Sequence, residues 1–253
     1  MNKFRKVNMF KKILILTTFF LFSVITFAQN NKFLAVGNVK IVRQEPLAIK
    51  REDLNITIEK DNTIKVESFY NFENVGNYNV KSTFLFWLDS NIEKVEKEDF
   101  SNKNTNNRGK YINNIKFFSD YKKSQNLRAV IKFDENIYKN QNGEDIQREW
   151  FAISKTIEPN KEGKLYLSYD LKNIDFLRTK NFTYSFDLVN NFLNKNKAEI
   201  FYVNIYNKSA KKIKNIDYKN YEFKNISTNK NKEHFELLVG NVNLDDKMII
   251  NFY

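Results

Sequence analysis

"VESFYNFENVGNYNVKSTF", residues 66–84, alternates apolar and polar side chains, pauses at Asn74-Val75-Gly76-Asn77, then alternates again. Ile64, Val66, Ser68, Tyr70 and Phe72 fall on one face of the first run. Tyr78, Val80, Ser82, Phe84, Phe86 and Leu88 fall on one face of the second, with Leu85 and Trp87 on the other. Side chains of a strand point to opposite faces in turn, so a period of two reads as a half-buried strand. Two such runs around an Asn- and Gly-bearing turn read as a β-hairpin. The end of the second run is apolar on both sides, as in a strand that becomes buried on both faces.

The same period extends outward in both directions. Leu54, Ile56 and Ile58 alternate ahead of a turn at Lys60-Asp61-Asn62. Further strands are expected over 127–133, 147–157, 164–171, 182–188, 198–206, 235–239 and 247–253, with turn chemistry in "NGED" (142–145) and "PNKEG" (159–163). Residues 101–114 break the pattern and read as a loop or an insertion at a sheet edge, and 187–197 could form a short helical turn at most. No sustained 3.6-residue stripe is present. The expectation is an all-β, sandwich-like fold of antiparallel sheets with little helix, in one lobe or in two meeting near 172–180.

Residues 1–28 read as a signal peptide. Lys3, Arg5, Lys6, Lys11 and Lys12 precede an uncharged apolar run over 13–27, and Thr26-Phe27-Ala28 offers small residues for cleavage before Gln29. The run is shorter than the ~20 residues a membrane-spanning helix needs. The expected product is an exported β-rich domain over 29–253, periplasmic or extracellular, with no membrane span after cleavage. The absence of cysteine excludes disulfides, thiolate metal sites and a lipid-modified cysteine anchor. Stability must therefore come from burying side chains such as the 24 Phe and 13 Tyr.

The formal charge of +12 weakens once the five signal cations are set aside, leaving 37 Lys and Arg against 30 Asp and Glu. The lysines are dispersed among Asn and Glu, which describes a solvated surface. The run 206–223 interleaves Lys208, Lys211, Lys212 and Lys214 with Tyr206, Tyr218 and Tyr221, a pattern that single-strand nucleic-acid grooves use. Strand alternation produces the same pattern, and export removes nucleic acid as a partner.

Catalytic chemistry has few carriers here. His234 is the one histidine, so a His-based zinc site is excluded, and no Gly-x-Ser-x-Gly elbow exists for a Ser–His arrangement. His234 reads as an ordinary strand residue. Acidic pairs at Glu52-Asp53, Glu98-Asp99, Glu144-Asp145 and Asp245-Asp246 read as solvated turns, since neighbours on a strand point to opposite faces. Residues 134–145 begin like a calcium loop at Asp134 and Asn136, but Tyr138 and Lys139 stand where a ligand and a glycine belong. No catalytic, cofactor-binding or metal-binding residue is assigned, and no cofactor is expected.

Three stretches carry a family resemblance. "KREDLNITIEKDNTIKVESFYNFENVGNYNVKSTFLFWLD" (50–89) resembles the opening of a family of uncharacterised bacterial exported proteins, a domain of unknown function. Its marks are the acidic-Asp-Leu strand opening at Glu52-Asp53-Leu54, an alternating strand closed by Phe72-x-Asn74, and an apolar strand. "REWFAISKTIEPNKEGKLYLSYDL" (148–171) is similar to that family's middle segment and "HFELLVGNVNLDDKMIINFY" (234–253) to its closing one. The chain departs from the family at Phe86-Trp87-Leu88-Asp89, where a Phe-Pro type turn is usual. The resemblance implies an exported β-rich domain and supplies no reaction.

Together these readings lead to a non-catalytic envelope or secreted module with a binding or structural role, its partner a protein or glycan. The candidate surface aromatics are Trp87, Trp150, Phe117 and Phe118. Two alternatives follow from other features. One is a glycan-acting enzyme with two facing carboxylates. The other is an outer-membrane β-barrel, suggested by the aromatic end of "DDKMIINFY" (245–253).

Overall fold

The computed structural model describes residues 33–37, 39–41, 45–91, 112–122, 130–133, 138–139, 145–171, 180–186, 197–228 and 232–253. All lie within one compact unit, Lys32–Tyr253. Residues 1–28, expected from the sequence to be a signal peptide, lie outside the described residues, as do most of the calcium-like loop, 187–196 and 172–179.

The described residues are all-β, with no helix. In chain order the first strands are β1 (Phe33–Gly37), β2 (Lys40–Ile41), β3 (Leu47–Ile58), β4 (Ile64–Asn74) and β5 (Val80–Asn91). There follow β6 (Ile112–Phe118), β7 (Val130–Phe133), β8 (Tyr138–Lys139), β9 (Asp145–Ile157) and β10 (Glu162–Leu171). The last are β11 (Asn181–Ser185), β12 (Lys197–Asn207), β13 (Ile213–Asp217), β14 (Lys224–Asn225), β15 (Glu233–Asn243) and β16 (Lys247–Phe252).

They form a nine-stranded sheet, β13-β16-β11-β1-β5-β9-β7 with β2 beside β5 and β8 beside β9, and a seven-stranded sheet, β14-β15-β12-β3-β4-β10-β6. Both are mixed, because β1 runs parallel to β11 and β3 parallel to β12. Strands on either side of 172–179 share both sheets, so the described residues make one sandwich and not two lobes. Among the described residues each sheet path runs between two edge strands, β13 and β7 in one and β14 and β6 in the other. β16 lies inside the nine-stranded sheet, between β13 and β11, with Met248, Ile250 and Phe252 buried.

The quoted stretch is not a hairpin. β4 pairs with β3 and β10, whereas β5 pairs with β1, β2 and β9 in the other sheet. The inner faces of β4 and β5 meet across the core, with Phe72 and Phe84 ring centroids 5.0 Å apart. The reason lies in Asn74, which is fully buried. Its backbone N–H donates to Lys161 O at 3.0 Å and its carbonyl accepts Asn160 N–H at 2.9 Å. Its side-chain amide donates to Tyr78 O (2.8 Å) and Ile157 O (2.9 Å) and accepts Gly76 N–H at 2.9 Å. These bonds lace the 75–79 crossing to the neighbouring 158–161 crossing, which likewise carries the chain from one sheet to the other. Alternation is identical in a hairpin and in such an arch; the partners of the turn's polar groups decide which forms. The Lys60-Asp61-Asn62 turn does close a hairpin, with Ile58 opposite Ile64 and Leu54 opposite Ser68.

A bulge in β3 sets which residues face out. The register against β4 shifts between Ile49 and Arg51. Leu47 and Ile49 point inward before the shift; Glu52, Leu54, Ile56 and Ile58 point inward after it. β12 follows in step, with Glu199 and Ile200 both exposed before Phe201 turns in. Lys50 Nζ and Glu199 Oε1, 2.6 Å apart, join the two extra residues. Between the sheets, Phe86 stacks on Phe151 (4.6 Å) and Tyr169 (5.3 Å), and Phe186 packs edge-on to Phe201 (5.3 Å). Burial of this kind stabilises by about 25 cal/mol for each Å² of apolar surface.

Candidate functional site

The bulge leaves Arg51, Asp53, Asn55 and Thr57 of β3 on the outer face of the seven-stranded sheet, and the strand registers align them with residues of β12 and β15. Asp53 lies opposite Tyr202, which lies opposite Leu238. Asn55 lies opposite Asn204, opposite Glu236, opposite Lys224. Thr57 lies opposite Tyr206, opposite His234. Beyond His234, Ile226 N–H donates to the His234 carbonyl at 2.8 Å. Of the exposed large apolar side chains, Ile200, Tyr206, Ile226 and Leu238 all belong to this region, Leu238 being 64% exposed.

A polar network underlies these side chains. Asn204 is only 5% exposed although it sits on the outer face. Its Nδ2 donates to Asn55 Oδ1 at 3.1 Å, so its Oδ1 is left to accept, and His234 Nε2 lies 2.9 Å away. The His234 ring also stacks on Tyr206, with centroids 4.1 Å apart and planes inclined by 26°. The Tyr202 hydroxyl bonds to Glu236, which chiefly accounts for its ionisation being pushed up. Burial pushes the Asp53 carboxyl up, and the Arg51 guanidinium, 2.8 Å away, works against it.

At the other end of this face, Phe118, Tyr166 and Phe69 align across β6, β10 and β4. Tyr121 folds over them, edge-on to both Phe69 (5.1 Å) and Tyr166 (6.1 Å). The Tyr166 hydroxyl donates to Glu67, and burial followed by that contact pushes its ionisation well up. This end is covered; the β12–β15 end is open.

The residues singled out from the sequence fare differently. Phe117 is 4% exposed and packs on Phe86 at 5.7 Å, so it belongs to the core and not to a surface patch. Phe118 is half-buried on the outer face beside Tyr166 (5.9 Å). Trp87 and Trp150 occupy opposite positions on β5 and β9, and their side chains lie outside the described part of the structure. The sequence reading passes over Tyr202 and Asn204, takes Tyr206 for strand alternation and takes His234 for an ordinary strand residue. The signal was present in Tyr-x-Asn-x-Tyr (202–206), one face of a strand lined with polar and aromatic groups. His234 is tied into a network, beyond an ordinary strand position.

Glu52 also departs from expectation. It is 0% exposed in mid-strand and is no solvated turn. It lies opposite Tyr70 on the inner face. Burial first and the Glu52 charge second push the phenols of Tyr70, Tyr184 and Tyr218 upward. Val39 N–H donates to the Tyr70 oxygen at 3.3 Å, and Ser68 Oγ lies 3.5 Å from the Tyr184 hydroxyl. Sealed between the sheets, this polar centre meets no solvent. Within the basic run Lys208 pairs with Glu59 (2.8 Å), Lys212 with Glu233 (4.0 Å) and Lys219 with Asp245. Tyr218 is core.

No protein-family model and no curated protein matches the chain. Among solved structures it is similar to a candidate nutrient binding protein of Legionella pneumophila, with TM-score 0.56 at 12% identity over 88% of this chain and 73% of that one. A candidate protease of Parabacteroides distasonis gives TM-score 0.47 at 8% identity over 82% of this chain and 40% of that one. An M1 zinc metallopeptidase of Deinococcus radiodurans gives 0.36 at 8% identity over 82% and 43%. The chain spans less than half the length of either peptidase. The first likeness is one of fold.

Proposed function

We propose that this chain is an exported, non-catalytic binding module whose ligand docks on the open outer face of β12 and β15. The observation that carries this is that exposed Ile200 and Leu238 on one side, and Tyr206 and Ile226 on the other, flank the Asn55–Asn204–His234 network on one sheet face. Apolar side chains exposed singly are ordinary, whereas a contiguous exposed group rimmed by polar residues marks an interaction surface. The fold likeness to a candidate nutrient binding protein is in keeping with a binding role.

Binding is favoured over carboxylate catalysis by how the carboxylates of this face are engaged. Asp53 is held by Arg51, Glu67 by Tyr166 and Lys65, and Glu236 by Tyr202. His234 has an amide, Asn204, as its ring partner, and an amide offers no nucleophile.

Export rests on the basic, apolar and small-residue order of 1–28. Mass spectrometry of the native N-terminus should find Gln29; a chain keeping residues 1–28 in the membrane fraction would make it an anchored component. Docking is tested by retention on isolated cell-envelope material from the native organism. Leu238→Lys combined with Tyr206→Ala should lower retention at least tenfold, while Tyr78→Ala, in an exposed turn, should leave it unchanged.

A further inference from the structure

Beyond the docking face, we infer that one corner of the sandwich is a basic surface that seats on an anionic lipid bilayer. Five segments far apart in the chain build this corner. Lys208 N–H donates to Ile58 O at 2.8 Å, which sets 207–214 against the β3–β4 turn. Tyr253 N–H donates to Lys212 O (3.2 Å) and Phe252 N–H to Lys180 O (2.8 Å), which adds the end of β16 and the start of β11. Glu233 Oε2 accepts from Asn207 Nδ2 (2.6 Å) and Ile213 N–H (3.0 Å), which adds the start of β15.

These bonds gather lysines that the sequence disperses. The 207–214 segment holds four, and Lys60, Lys180 and Lys232 join them, so seven positive charges stand against Glu59, Asp61 and Glu233. Lys208 is engaged by Glu59 (2.8 Å) and Lys212 by Glu233 (4.0 Å), but these pairs leave the excess of cations unchanged. Lys60, Lys180, Lys214 and Lys232 are all exposed. The connections at the opposite end of the same strands, 73–81, 158–162 and 243–247, carry three lysines against five carboxylates. A one-sided field of this kind draws an extended anionic surface to the basic end.

Charge alone would suit any polyanion. The side chains set among the lysines favour a bilayer. Tyr253 is 71% exposed, and the exposed Tyr206 and Ile226 border the corner. A tyrosine combines an apolar body with a polar tip and suits the headgroup boundary, where lysine stems lie along apolar surface while their ammonium groups stay at the phosphates. A soluble anionic polymer offers Ile226 no apolar layer to enter. Each lysine held close to an anionic bilayer adds to its binding.

Wild type and variants, expressed with residues 1–28 in place and recovered as the processed chain, are sedimented with lipid vesicles. Wild type should sediment with equimolar phosphatidylglycerol and phosphatidylcholine and stay in solution with phosphatidylcholine alone. Binding should weaken as salt shortens the screening length from about 10 Å at 0.1 M to about 3 Å at 1 M. Lys60→Gln, Lys214→Gln and Lys232→Gln together should lower it at least tenfold. Lys81→Gln, Lys161→Gln and Lys247→Gln remove the same charge at the opposite end and should leave it within twofold. Equal losses in the two triple variants would assign the attraction to net charge and overturn the corner. No sedimentation of wild type, or equal sedimentation with phosphatidylcholine alone, overturns the proposal. Binding of single-stranded DNA without binding of vesicles also overturns it, making the corner a nucleic-acid surface.

Discussion

Tyr206 and His234 lie directly opposite each other on β12 and β15, their rings stacked with centroids 4.1 Å apart. Because Asn204 Oδ1 lies 2.9 Å from His234 Nε2, the imidazole is held in place from two sides. An ordered ring on an outer sheet face reaches a ligand without losing much side-chain freedom, which is what a binding surface requires.

Asn204→Ala tests that arrangement. It strips the Asn55 and His234 side chains of their common partner, an amide that is itself almost fully covered. A loss of about 1–3 kcal/mol is expected from leaving polar groups without their hydrogen bonds. Chemical denaturation measures it, and the His234 ring resonances should move in the same variant. Unchanged stability with unmoved resonances would refute the network.

Asn74→Ala should be costlier than its place in a turn suggests. The side chain donates to two carbonyls and accepts one N–H while fully buried between the two sheet crossings. Losing them should cost about 2–4 kcal/mol by the same reasoning. A shift below about 0.5 kcal/mol in equilibrium unfolding, the level of ordinary surface substitutions, would show that the crossings do not depend on it.

Gly163→Ala should destabilise through one contact. A Cβ there would lie 2.2 Å from Ile157 Cδ1 and 2.5 Å from its Cγ1, and Ile157 is buried. Overpacking of this kind costs about 1–3 kcal/mol. Ile157→Ala removes both atoms, so adding Gly163→Ala to it should cost far less than adding it to the wild type. Equal costs in the two backgrounds of this double-mutant cycle would place the strain elsewhere.

Alkaline pH should unfold the protein cooperatively. Tyr70, Tyr184 and Tyr218 ionise above their ordinary range because burial, and then Glu52, disfavours the phenolate. In the unfolded chain a tyrosine ionises near pH 10. Their neutral forms therefore contribute stability that is complete below about pH 10, and it drains away as pH rises beyond that, where the unfolded state releases protons that the folded state keeps. Phenolate absorbance should rise in step with loss of the β signal. A smooth rise through the ordinary tyrosine range with the fold intact would contradict the burial.

Strand existence was legible in the sequence; strand partnership was not. The alternation over 64–72 and 80–86 located β4 and β5 and their buried faces, because inward side chains must be apolar wherever one face is covered. It could not say that they belong to different sheets, because that depends on Asn74 meeting Lys161 and Asn160 from a crossing more than eighty residues away. The bulge at Lys50 was equally hidden. It inverts the face of every later residue in β3, sending Glu52 inward and Asp53 outward, and it depends on β12 bulging alongside. Single histidines and Tyr-x-Asn-x-Tyr patterns are common in strands. Only the registers of β3, β12 and β15 set Asn55 opposite Asn204 and bring His234, opposite Tyr206, diagonally beside Asn204.

The central claim, a docking face on β12 and β15, is tested most directly by retention on native envelope material. Wild type is compared with the Leu238→Lys, Tyr206→Ala variant, each shown folded, with Tyr78→Ala as control. The account predicts retention at least tenfold lower for the double variant and unchanged for the control. Equal retention of all three would contradict it.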